Sequence, residues 1–278
     1  MRAWHRRLPL AMVWVLLIAL ASLFPAAGEA VADEAASVTH DACHVEAYLM
    51  PDGSLSVIER WTVTFAGTWH GIEWTVDTAH TGATSIAIVD AGEVAEGNLV
   101  SYEYEPGGSC VPGTYCTEGD FGRRTCTLNF DKADETTELY VACRLRDAAR
   151  RWRDASVLDW RLLDMPAGVG VGDVTVDLFL ERPDDGGVWP GENVFAWSTV
   201  GMRTREECDI TDVTVDAWPI AGVAEDTHAA RIRVDCGRLE GGDFAQVSVL
   251  FPEGWLKDAG GNGEPFRSET FHNMGERA

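Results

Sequence analysis

From Ser54 to Phe65 the chain alternates: Leu55, Val57, Trp61, Val63 and Phe65 share one parity, while Ser54, Ser56, Arg60, Thr62 and Thr64 share the other. A period of two is the signature of a strand with one buried face. Val45, Ala47 and Leu49 alternate likewise, and Pro51-Asp52-Gly53 between the two runs has strong turn chemistry, so a hairpin is predicted there. Short runs of the same kind recur at Ser85 to Asp90, Thr125 to Phe130, Glu138 to Leu145, Val157 to Leu162, Val174 to Leu180, Val194 to Ser198, Thr211 to Trp218, Ala230 to Cys236 and Phe244 to Phe251. Gly, Pro, Asp and Asn separate them, which predicts an all-β chain built of two β-sandwich-like units in tandem. The one predicted helix is brief and lies within Asp147 to Asp154, where Ala and Arg predominate. Met165-Pro166-Ala167-Gly168 is the predicted boundary, giving one unit over 40–165 and another over 166–256, with 257–278 a flexible polar tail.

The N-terminus follows a different rule. Met1 to Arg7 is basic, Leu8 to Phe24 is almost wholly apolar, and small residues follow as Ala26-Ala27-Gly28 and Ala30-Val31-Ala32. This reads as a signal peptide over 1–32. If retained, the run is long enough, at roughly 20 residues, to serve as an anchor. Either way the body is expected outside the cytoplasm, secreted or held at the plasma membrane facing outward.

Charge agrees with that placement. The chain carries 22 Lys+Arg against 45 Asp+Glu, and the leader holds Arg2, Arg6, Arg7 and Glu29, which leaves 19 against 44 for the body. Such a field repels nucleic acid and anionic lipid and attracts cations. Seven cysteines, all in the body, suit an oxidising compartment, and an odd number leaves at least one unpaired. If Asp131 to Glu135 turns a hairpin centred between Asp134 and Glu135, Cys126 and Cys143 fall opposite each other and could bridge. Cys110 and Cys116 flank the Pro112-Gly113 turn, and Cys208 with Cys236 could tie two C-terminal strands, leaving Cys43 over.

Four features could carry function. Glu59 sits on the apolar parity of its strand, where a carboxylate must find a partner or shift its pKa upward; an ion pair with Arg144 or Arg161 is the expected resolution. Arg144, Arg146, Arg150, Arg151, Arg153 and Arg161 crowd positive charge into a short stretch, where an anionic wall polymer or phosphate head group could dock, or where they pair with the protein's own acids. Trp69 and Trp189, among Gly, Thr and Pro, are the indoles expected in loops, where they could stack on sugar rings. No metal site is expected, because alternation puts Cys43 and His44 on opposite faces. HExxH and GxSxG are missing, GVGVG at 168–172 is not a dinucleotide loop, and no cofactor is expected.

The segment HVEAYLMPDGSLSVIERWTVTFAGTWHGIEWTV resembles the start of a bacterial family of predicted membrane proteins catalogued as domain of unknown function 2207. Further similar segments follow in order: ELYVACRLRDAARRWRDASVLDWRLL, VGDVTVDLFLERP and FAQVSVLFPEGW, so the resemblance runs from His44 to Trp255. It implies an extracytoplasmic β-rich region tethered by membrane helices that follow it, and it carries no catalytic residues. Within these residues no such helix follows, so the expected tether is the leader or a helix beyond Ala278. The cysteine content is unusual for the family.

The leading expectation is a non-catalytic extracytoplasmic binding module whose partner is a cell-envelope protein or polymer. The alternative is an exported carbohydrate-active protein, either a glycan-binding domain or a glycosidase using paired Asp/Glu. A glycosidase requires two carboxyls roughly 5 to 9.5 Å apart in a cleft, whereas an interaction module requires an exposed patch or sheet edge.

Overall fold

A computed structural model describes residues 36–79, 81–108, 110–181, 195–200, 210–214, 229–256 and 263. The leader and nearly all of the tail lie outside them. Among the described residues no helix is long and apolar enough to cross a membrane.

The chain is all-β. Its strands are β1 (Ser37–Leu49), β2 (Leu55–Ala66), β3 (Thr68–Asp77), β4 (Ser85–Ala95), β5 (Asn98–Ser101), β6 (Glu103–Tyr104), β7 (Thr114–Gly119), β8 (Arg123–Ala133) and β9 (Thr136–Arg146), followed by β10 (Ala149–Arg151), β11 (Ser156–Asp164), β12 (Val171–Glu181), β13 (Phe195–Val200), β14 (Ile210–Thr214), β15 (Ala229–Leu239) and β16 (Phe244–Phe251). Among the described residues, the first sheet has eight strands in the order β14-β15-β12-β1-β2-β9-β4-β5; the second runs β10-β11-β16-β13 and the third β3-β8-β7-β6. Residues of all three sheets contribute to one continuous buried cluster.

The predicted hairpin is β1 and β2, with Met50 N–H donating to Ser54 O at 2.9 Å across the Pro51-Asp52-Gly53 turn. Each predicted run coincides with or overlaps a strand. The expected helix does not form: Asp147 turns the chain at positive φ, and Ala149–Arg151 pairs with β11 as β10. A short 3-10 turn over Glu253–Trp255 is the only helical element described.

The expected boundary at Met165-Gly168 is a turn between strands rather than a break between separate units. β12 pairs in parallel with β1 (Val45↔Val176, Ala47↔Leu178), and β11 pairs with β16, so strands from both sides of the turn share sheets. Parallel pairing joins residues far apart in sequence and leaves no mark in local periodicity.

The loop at Asp134 also departs from expectation. β8 and β9 do not face each other as a hairpin: β8 pairs with β3 and β7, β9 with β2 and β4. Two corners lie side by side instead. β2 passes into β3 at Gly67 (φ 74°), and β8 passes into β9 at Asp134 (φ 50°). Gly67 N–H donates to Asp134 Oδ1 at 2.7 Å, and Asp134 N–H to Gly67 O at 3.3 Å. A long two-stranded ribbon, β2–β3 against β9–β8, therefore bends at one place, and its two halves belong to different sheets. The symmetric register that would set Cys126 against Cys143 never arises: Cys126 lies opposite Trp74 and Thr117, Cys143 opposite Val57 and Ile88, and both thiols are free. Cys110, exposed, and Cys116, buried, are also unbridged. Cys208 lies outside the described residues, and its pairing with Cys236 with it.

The left-handed conformation at Asp134 is tolerated by Asp and Asn more readily than by Ala, and the side chain adds a hydrogen bond to the neighbouring corner. Asp134→Ala is expected to lower unfolding free energy by about 1–2 kcal/mol, and Asp134→Gly by less, as read from denaturant midpoints. Equal stability of Asp134→Ala and wild type would show that the paired corners do not hold the bend.

Candidate functional site

Glu59 lies near the middle of β2 with Val45 of β1 on one side and Val141 of β9 on the other. Its residue is 4% exposed. The expected arginine partner is absent. Instead Glu59 Oε2 accepts the indole N–H of Trp61 at 3.3 Å and of Trp74 at 3.1 Å. Trp61 stands two residues along the same strand, whereas Trp74 reaches in from β3 because the ribbon has bent at Gly67. The two indoles meet edge to face with ring centroids 4.8 Å apart. Burial raises the carboxyl from 4.5 to about 7 against the opposing pull of the two N–H donors. Cys43 and Cys143 occupy diagonal positions on either side, and burial, aided by the nearby Glu59 charge, pushes both thiols well above the ordinary range. They cannot bridge, since β1 and β9 are two strand spacings apart, roughly 9–10 Å, beyond the reach of a disulfide. Glu59 is thus sealed in the core, where it joins two sheets rather than meeting a ligand.

The opposite face of the first sheet carries charges that sequence periodicity does not single out. Arg231 of β15 donates from Nε and Nη2 to the two Asp177 oxygens, each at 2.7 Å, and Asp177 is buried. His44 Nε2 lies 3.5 Å from Asp177 and 3.6 Å from Glu46, which also pairs with Arg60 at 3.1 Å. Tyr48 donates to Glu46 and stacks on Phe179. This network crosses β15, β12, β1 and β2, which is how a structural tie is arranged.

The arginines expected to form an anion site are dispersed. Arg144 is held by Asp52 and Ser54 of the β1–β2 turn, at 3.1 and 2.9 Å. Arg150 donates to Gly82 O and Arg151 to Leu256 O. Arg161 pairs with Asp164 at 2.7 Å and lies over the Phe244 ring. Arg146 and Arg153 are exposed. Trp69 is not a free platform either: its ring packs on Phe65, 5.6 Å between centroids, and its N–H donates to Ala66 O. Trp189 lies outside the described residues.

Exposed apolar residues that sequence reasoning missed fall within residues 89–121. The exposed large hydrophobics among the described residues are Val89, Leu99, Val100, Tyr104, Val111 and Phe121, all within this stretch, with Phe121 74% exposed. Val89 is the extra residue of a bulge in β4. β5 ends the first sheet and β6 ends the third, and only Tyr102 separates them. β4 and β5 join through a two-residue turn at Glu96 and Gly97, both at positive φ. Gly92 lets β5 lie close, because a Cβ there would run into Val100 O. With Ala95 and Asn98 as the narrow pair next to the turn, alternation points the N–H and C=O of Leu99 and Ser101 away from β4. One signal was available in the sequence: from Thr81 to Gly122 there is no Lys, Arg or His, so an acidic stretch carries the exposed apolar residues.

Glu59 yields a pH test. Its folded pKa is raised, so the stability it permits is full below about pH 4.5 and is lost as pH rises through about 7. Unfolding free energy should fall between pH 5 and 8 by on the order of 3 kcal/mol, and Glu59→Gln should flatten that slope. An unchanged slope in Glu59→Gln would assign the effect to other groups.

No curated protein sequence matches the chain. Solved structures similar to it include a candidate protease from Parabacteroides distasonis ATCC 8503, at 8% identity and TM-score 0.38, covering 76% of this chain and 40% of that one. Another is an M1 zinc metallopeptidase from Deinococcus radiodurans, at 9% identity and TM-score 0.38, covering 77% and 42%. The chain spans about two-fifths of those structures. Residues 41–251 match the family described as predicted membrane protein (DUF2207), N-terminal domain, in agreement with the order of motifs along the strands, and the chain belongs to that family.

Proposed function

We propose that this chain is the extracytoplasmic binding module of a membrane-associated envelope protein, recruiting a partner protein through the surface of residues 89–121 rather than performing chemistry. One observation carries the reading. Every exposed large hydrophobic among the described residues falls within one stretch that also forms the open ends of two sheets. Scattered apolar residues are ordinary on a soluble surface, but Leu99, Val100 and Tyr104 lie on the terminal strands β5 and β6, and exposed apolar side chains at an unpaired strand edge favour an interaction site. Glu59, the carboxyl that burial raises to about 7, is sealed from solvent and unsuited to substrate. The arginines, which could have drawn an anionic polymer, are mostly engaged with turns and neighbouring acids.

Outward orientation is supported by the leader and by the body's strong negative charge. The family's description as a predicted membrane protein supports placement at the membrane.

Photo-crosslinking in intact cells tests the proposal. A photoreactive amino acid at Val100 or Phe121 should give one discrete protein adduct, and the same probe at Thr75, on another strand of the third sheet, should not. Labelling should be lost with Leu99→Lys. Adducts to saccharide polymer, or equal labelling from Thr75, would overturn it.

A further inference from the structure

We infer that the open edge of β5 takes a basic, extended segment of a partner protein as an added strand. This deepens the proposed binding role and rests on it.

The edge is competent for pairing. Leu99 and Ser101 turn their N–H and C=O groups outward, and β5 ends its sheet with all four residues exposed. In β6, Glu103 N–H donates to Gly113 O and Glu105 N–H to Tyr115 O, which points the amide of Tyr104 outward as well. An incoming strand would meet outward main-chain groups at Leu99 and Ser101 and the apolar side chains of Leu99, Val100 and Tyr104. Main-chain hydrogen bonds supply affinity in such additions, and side-chain contacts supply selectivity.

Charge selects the occupant. Between Thr81 and Gly122 lie Asp90, Glu93, Glu96, Glu103, Glu105, Glu118 and Asp120 without a single basic residue. Lys132 pairs with Glu93 from outside the stretch, at 3.2 Å, but it also serves Glu135 at 3.1 Å. Glu96 and Glu103 flank the ends of β5 and are exposed. A second copy of this chain would set the same acids against each other, and like charges across a strand pair are destabilising. Natural edges are guarded by charge in this way, so this edge resists self-pairing while it attracts Lys- or Arg-rich strands.

The test uses the full chain and a synthetic ten-residue peptide alternating Lys and Val, with binding followed by calorimetry at low and high salt. Twin peptides carry Glu in place of Lys, or keep Lys and are N-methylated on alternate amides. The Lys peptide should bind, and tenfold more salt should weaken it. The Glu peptide should not bind. N-methylation on the pairing edge and Leu99→Pro should each weaken binding at least tenfold, and Glu96→Gln with Glu103→Gln several-fold. The methylated peptide keeps its charge, so an unchanged affinity would reduce the interaction to non-specific ion pairing and overturn the strand mode, even if Leu99→Pro disturbed the fold. If the peptides fail while the in-cell adducts at Val100 and Phe121 persist, the added-strand inference falls and the binding module stands. Loss of both removes both.

Discussion

The bend shared by Gly67 and Asp134 sets the third sheet against the first, and the buried face of the first depends on that cover. Four strands belong to one ribbon, and two mutually hydrogen-bonded corners let both chains turn together without losing their pairing. Left-handed backbone is needed at each corner, supplied in one case by glycine and in the other by an aspartate whose side chain also caps its neighbour. Trp74 is carried over β2 by this turn. Its indole then completes the hydrogen bonding of a carboxylate that β2 alone would leave half satisfied.

A carboxylate in the core is a costly choice, and Glu59 shows what it can do that leucine cannot. Two N–H groups from two different sheets converge on one oxygen, so the sheets are tied in a particular relative placement rather than merely pressed together. The flanking thiols of Cys43 and Cys143 add small apolar volume around it. On the outer face the Arg231–Asp177–His44–Glu46–Arg60 chain crosses four strands, so each side of the sheet has its own polar tie.

How much of this could be read from the sequence depended on whether the cause was local. Alternation of Leu55, Val57, Trp61, Val63 and Phe65 fixed the buried face of β2, and the Pro51-Asp52-Gly53 turn fixed its hairpin. The parity of Glu59 marked it as buried, but its partner Trp74 lies fifteen residues on and arrives only through a bend that periodicity does not register. β3 itself was missed, since Gly71 and a register shift interrupt its pattern. The turn at Asp134 was found, yet treating it as a symmetric hairpin gave the wrong partner for Cys126, because the chain leaves one sheet there and enters another. Two tandem units were expected for a related reason: β12 joins β1 in parallel across the supposed boundary. The apolar edge was overlooked because its residues are scattered among Gly, Pro and acids, where only the lack of basic residues could have marked it.

The parallel union of β1 and β12 has a consequence for how the protein comes into being. His44 and Thr175, hydrogen-bonded at 2.9 Å, are 131 residues apart. A polypeptide emerging from its N-terminal end, at a ribosome or a translocation pore, must carry its first hairpin with a naked flank until most of the remaining sequence has followed. Contacts of such long span slow folding. Maturation of this protein therefore waits on β12, which lies past the midpoint of the chain, and chains cut short before Val171 would be left with an unsatisfied strand, a natural substrate for quality-control proteases.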